Sequence, residues 1–154
     1  MKNKIVKKKE DASNLVVGYL RTPMRTRTKV FENYGVDLAG QVFRIKSDNT
    51  LTRRKFKANG SAKYPQTRFT LNGNSYNVRE HIAVYYTHNS DVDKPKSICD
   101  KEWSACSEYV RGLLQQSFEV NHIDHNTLNN HPDNLELVTG HDNRNKAKEF
   151  YSKK

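Results

Sequence analysis

His122, Asn134, Asn143 and Asn121 are the residues of this chain whose types and spacing point to chemistry. An imidazole held through one ring nitrogen by an amide oxygen keeps its other nitrogen free and basic, as activation of a water requires. Asn134 is the candidate orienter of His122. Asn121, beside that histidine, and Asn143 can offer side-chain carbonyl oxygens to a hard cation such as Mg²⁺. A cation there would stabilise charge on a phosphate and its leaving oxygen. Base, orienter and cation ligands in one short stretch suit hydrolysis of a phosphodiester.

The stretch from Glu119 to Phe150 holds four of the six histidines and seven asparagines. Phe118, Val120 and Ile123 suggest a short strand before the loop, and Leu135, Leu137 and Val138 a second one after it. His131-Pro132-Asp133-Asn134 reads as a turn, since proline fixes φ and Asx side chains stabilise turns. A helical run then extends through Lys148, with Thr139 or Asp142 placed to cap it. Such a unit is too small for its own core and relies on an ion or on the rest of the protein. A lone histidine beside a strand is usually structural; the spaced asparagines set His122 apart. His125 and His131 read as exposed loop residues or phosphate contacts, His141 or Asp142 as alternative cation ligands. Asn129 and Asn130 read as holding the loop through side chain–backbone hydrogen bonds.

These residues resemble the signature of HNH endonucleases, the ββα-metal nucleases, in a subgroup common among phage homing-type enzymes. The pieces are Asn121-His122-Ile123-Asp124, Asn129-Asn130, Asn134-Leu135, Val138-Thr139 and Asp142-Asn143. The resemblance implies His122 as general base, Asn134 as its positioner, and Asn121 with Asn143 as ligands of one divalent metal per active site, Mg²⁺ or Mn²⁺. It departs from the family at Asn121, where Asp or His is frequent, so the metal loses a charged ligand. The order of elements from Tyr34 to Tyr86 is also similar to the region upstream of that subgroup, with too few shared letters to carry over a site residue.

Net charge is +10, and residues 1–70 carry 17 Lys and Arg against 5 Asp and Glu, whereas the remainder carries 10 against 12. That division fits a DNA-grasping half and a cutting half, because phosphate neutralisation supplies most non-specific affinity. The longest apolar stretch, Leu15 to Leu20, is far short of the roughly 20 residues of a membrane span. The lysine-rich start lacks the features of a secretion signal. Cys99 and Cys106 match no metal pair or disulfide framework. These points lead to the expectation of a cytoplasmic protein, in the host cell if phage-encoded.

Residues 1–12 read as a basic flexible arm, 13–88 as a β-rich DNA-binding region, 89–117 as linker and bracing helix, and 118–154 as the nuclease unit. Arg21, Arg25, Arg27 and Lys29 would lie on one side of an extended chain, a phosphate-tracking pattern. Arg53, Arg54, Lys55 and Lys57 are further DNA candidates, while the aromatics among them read as core. Tyr34 to Ile45 reads as strand, turn, strand, and Leu71-Asn72-Gly73-Asn74 as a hairpin. Asn77 is placed to cap a helix carrying Val78, Ile82, Tyr85 and Tyr86. Trp103, Cys106, Val110, Leu113 and Leu114 describe one face of a helix from Lys101 to Gln116.

The expected fold class is α+β: an antiparallel N-terminal β portion, bracing helices and a C-terminal ββα-metal unit. The expected function is metal-dependent nicking of double-stranded DNA by a monomer or homodimer, with no small-molecule cofactor and no membrane. The alternative is a DNA-binding protein whose HNH unit is catalytically inactive; RNA as substrate is a third reading.

Overall fold

The computed structural model describes residues 5–6, 16–23, 28–57 and 64–153. Strands β2 (Gly18–Pro23), β3 (Thr28–Val36), β4 (Val42–Ile45) and β5 (Leu51–Arg53) form an antiparallel meander, and β1 (Ile5–Val6) pairs with β5 on the far edge. The turn after β3 is built by Asp37, whose carboxylate accepts the backbone N–H groups of Ala39 and Gln41 at 3.0 and 2.7 Å. Gly40 completes it at φ +76°, a conformation that favours glycine.

The second hairpin joins β6 (Gln66–Leu71) to β7 (Asn74–Arg79). Asn72 and Gly73 take φ values of +51° and +77°, as a two-residue turn of matching twist requires. Helix α1 (Glu80–His88) follows without a break. Asn77 does not cap it, because it lies within β7, paired with Arg68 of β6. The cap position is Arg79, which makes no side-chain cap bond. The Thr87 hydroxyl ties α1 to β2 by accepting the Arg21 backbone N–H at 3.0 Å.

The expected single helix from Lys101 to Gln116 is two helices, α2 (Asp100–Ala105) and α3 (Glu108–Gln115). Ser107 divides them: its hydroxyl accepts the Val110 N–H, a cap that competes with a continuous helix. The apolar face divides with it. Trp103 is buried, donates to the Asp93 carboxylate at 2.7 Å and packs on Phe118, whereas Val110, Leu113 and Leu114 are exposed.

Strands β8 (Phe118–His122) and β9 (Leu135–Thr139) pair antiparallel, with a single 3₁₀ turn, Pro132–Asn134, leading into β9. Helix α4 (Gly140–Ser152) starts under the hydroxyl of Thr139, which accepts the Asp142 N–H, and runs beyond Lys148. Leu135 and Leu137 of β9 share one core with Leu20, Phe31, Phe69 and Val84 from the amino-terminal half. Phe69 lies 4.6 Å from Tyr34 and 5.8 Å from Phe31 and Phe56, so these aromatics pack the sheets. The architecture is α+β, with antiparallel sheets throughout the described residues.

Candidate active site

Side chains alternate across a strand, so the β8–β9 ribbon has two chemically different faces. Asn121 pairs with Glu136 and His122 with Leu135, and cross-strand partners share a face. One face therefore carries Glu119, Asn121 and Glu136. Helix α4 lies over it, with the Asn143 amide donating to Glu119 and the Lys146 ammonium to Glu136. The other carries Phe118, Val120, His122, Leu135 and Leu137 and meets the core. His122 thus stands on the face opposite Asn121.

His122 is only 3% exposed. The His81 ring lies 5.0 Å from it and the Tyr64 ring 6.0 Å away, nearly parallel. Its Nε2 is 2.8 Å from Oδ1 of Asn130, whose amide nitrogen donates to Oε2 of Glu80 at 2.7 Å. Among the described residues no hydrogen bond takes up its Nδ1. The expected contact with Asn134 is absent. Asn134 instead accepts the Asp124 N–H and donates to the Asp124 carboxylate and the Asn129 carbonyl, all within 3.0 Å. The reason is geometric: Asp124 sits where the loop folds back over the start of β9, and it saturates the Asn134 amide. The Asn129 and Asn134 amides hold the Asp124 carboxyl below its ordinary pKa.

The amide nitrogens of Asn121 and Asn143 donate to Glu136 and Glu119, respectively. An ionised carboxylate accepts only, so each amide must turn its NH₂ toward it and leave its carbonyl oxygen uncommitted. Oxygens so oriented, beside two carboxylates, are of the kind that could serve a hard divalent cation. Burial raises the Glu136 carboxyl, but Lys146 and Asn121 outweigh it and leave its pKa below the ordinary value. His141 contacts Asn145, and Asp142 accepts from Ser97. Among the described residues no group of three or more His, Cys, Asp or Glu side chains is arranged to hold a metal, so any site there draws on the amides.

The family described as HNH endonuclease matches residues 106–145. That segment belongs to the HNH endonuclease family. The HNH match begins at Cys106 and so takes in α3 as well as the hairpin. No curated protein matches the chain. A solved structure described as "DNA binding and cleavage by the HNH homing endonuclease I-HmuI" is similar at 23% identity and a TM-score of 0.49, over 76% of this chain and 52% of that one. The chain spans about half the length of that protein.

Of the cationic candidates, Arg25 and Arg27 lie outside the described residues. Arg21 and Lys29 do not share a side: they stand on adjacent strands of a hairpin, Arg21 opposite Val30 and Lys29 opposite Thr22. The Lys29 ammonium lies 4.9 Å over the Tyr76 ring. Arg54 is half-buried, its guanidinium 5.9 Å over Phe69 and donating to the Arg68 carbonyl, while Arg53, Lys55 and Lys57 are exposed. Among the described residues no helix is long and apolar enough to cross a membrane.

Sequence reasoning missed Glu80, His81 and Tyr64, and gave Asn130 only a loop role. His81 is 3% exposed and its Nδ1 has no partner among the described residues. Burial first, then the charges of His122 and Arg79, push its pKa down from 6.5 to about 3, so it is a neutral ring against the candidate base. The signal available was its position one residue after Glu80 at the start of the helix that the shared core sets against the ribbon.

Proposed function

We propose that the protein is a metal-dependent DNA endonuclease that hydrolyses phosphodiester bonds and nicks duplex DNA, in the manner of homing-type HNH enzymes. The observation that carries this reading is the clasp of His122 by an amide oxygen at one ring nitrogen, with no hydrogen bond to the other nitrogen among the described residues. Nδ1 of His122 takes a proton from water, the resulting hydroxide attacks phosphorus, and the 3′ oxygen departs and is protonated by solvent. Asn121 and Asn143 would hold the cation, their amides set by Glu136 and Glu119. When bound, Mg²⁺ or Mn²⁺ supplies charge stabilisation for the phosphate and the departing oxygen. Consecutive residues have Cα atoms about 3.8 Å apart. We therefore put the phosphate at the end of β8, where His122 and Asn121 are neighbours in the chain. Arg53, Lys55 and Lys57 serve as phosphate contacts on the amino-terminal half, with Arg21, Arg25, Arg27, Lys29 and Arg54 as further contributors. A monomer cuts one strand; a double break takes a homodimer or two successive events.

A second reading, a DNA-binding protein with an inactive HNH unit, is favoured by the deep burial of His122. Supercoiled plasmid incubated with Mg²⁺ or Mn²⁺ separates the two. The endonuclease reading expects relaxed circles from the wild type and none from His122→Ala, which still retards DNA in gels. Retardation without relaxed circles by the wild type selects the inactive reading.

A further inference from the structure

We infer that Glu80 is a positioning residue for the His122 imidazole: it fixes the amide of Asn130, and that amide fixes which ring nitrogen carries the proton. The inference rests on His122 being the base, and it adds a residue from outside the HNH match. An ionised carboxylate only accepts hydrogen bonds, so the Asn130 group 2.7 Å from Glu80 Oε2 is the NH₂ end. The oxygen end must then face His122, 2.8 Å from Nε2. An oxygen at that distance requires a donor, so Nε2 is protonated and the lone pair lies on Nδ1.

Without the Glu80 contact the amide has no reason to prefer this orientation. Turned end for end, it presents NH₂ to Nε2 and shifts the proton to Nδ1, the nitrogen that must be bare to accept one from water. Water competes little with the clasp, since Asn130 is only 9% exposed. Glu80 is itself held: its backbone N–H donates to the Pro65 carbonyl at 3.0 Å. Burial raises its pKa, while the Asn130 hydrogen bond and the charge of Arg53 work against that rise.

The test uses the full-length protein with Glu80→Ala, or Glu80→Ser if the alanine variant does not fold, alongside Glu80→Gln. The ¹⁵N shifts of the His122 ring report the tautomer, and plasmid nicking reports kcat and KM. The wild type is expected to show protonated Nε2, and Glu80→Ala a mixture of tautomers. The same variant should lose about 10- to 100-fold in kcat at unchanged KM, the range for residues that orient a functional group from behind. Glu80→Gln should recover most of the rate, since its carbonyl oxygen still accepts from Asn130. A single Nε2–H tautomer in Glu80→Ala overturns the proposal, as does an equal loss of kcat in Glu80→Ala and Glu80→Gln. If the wild type does not nick, the nuclease reading fails, and the ring shifts alone still decide the role of Glu80.

Discussion

Asn130 and Asn134 are the same residue type in the same loop, yet only Asn130 touches the imidazole, and the difference is testable. Asn134→Ala removes three hydrogen bonds that close the loop and should cost about 1–3 kcal/mol in a denaturant titration. It should change nicking only as far as the loop loosens, whereas Asn130→Ala, which leaves the buried His122 and Glu80 without their shared partner at a similar cost, should slow nicking directly. The spacing made the asparagines legible as a group but not their partners, because which amide meets a ring depends on how the loop folds back on Asp124. His81 was beyond reach for a related reason: the His122 ring it packs against lies in another element. Its effect on stability has a definite sign. The folded protein keeps it neutral down to about pH 3, whereas the unfolded chain takes up a proton near pH 6.5. Its contribution is therefore complete above pH 6.5 and drains away as pH falls toward 3, by about 1.4 kcal/mol per pH unit in between. Urea unfolding at pH 7 and pH 5 should show that loss, and His81→Phe should shrink it.

Among the elements, the turn between β3 and β4 does more than reverse the chain. A Cβ added at Gly40 would lie 2.7 Å from the backbone oxygen of Asn130 and 3.1 Å from Val84 and Pro132. Gly40→Ala also strains a positive φ, so we expect a loss of about 1–3 kcal/mol and weaker nicking, read by thermal unfolding and the plasmid assay. The β3–β4 and β6–β7 hairpins, the ββα unit and the α1 helix were legible from turn residues and periodicity, whereas β5 lies in a stretch that reads as a polar gap. The break at Ser107 was not, because a periodic apolar pattern continues through it and the cap that ends it is a local competition. Nor could alternation alone show that Arg21 and Lys29 belong to two paired strands.

At the scale of the molecule, charge is segregated while the core is not. Exposed Arg53, Lys55 and Lys57 project from the amino-terminal half, and replacing all three by Gln should weaken DNA binding most at low salt. The slope of log K against log salt should fall by about 0.9 for each phosphate that is no longer neutralised, measured by fluorescence anisotropy. The segment matched as HNH contains Asn130 but neither Glu80, which holds the Asn130 amide, nor the turn against which Asn130 rests. Anyone exchanging the amino-terminal half for another, to retarget the proposed nuclease, therefore cannot cut at the edge of the recognisable motif. The glycine at position 40 and the start of α1 must travel with the graft, or the transplanted histidine arrives without its backing.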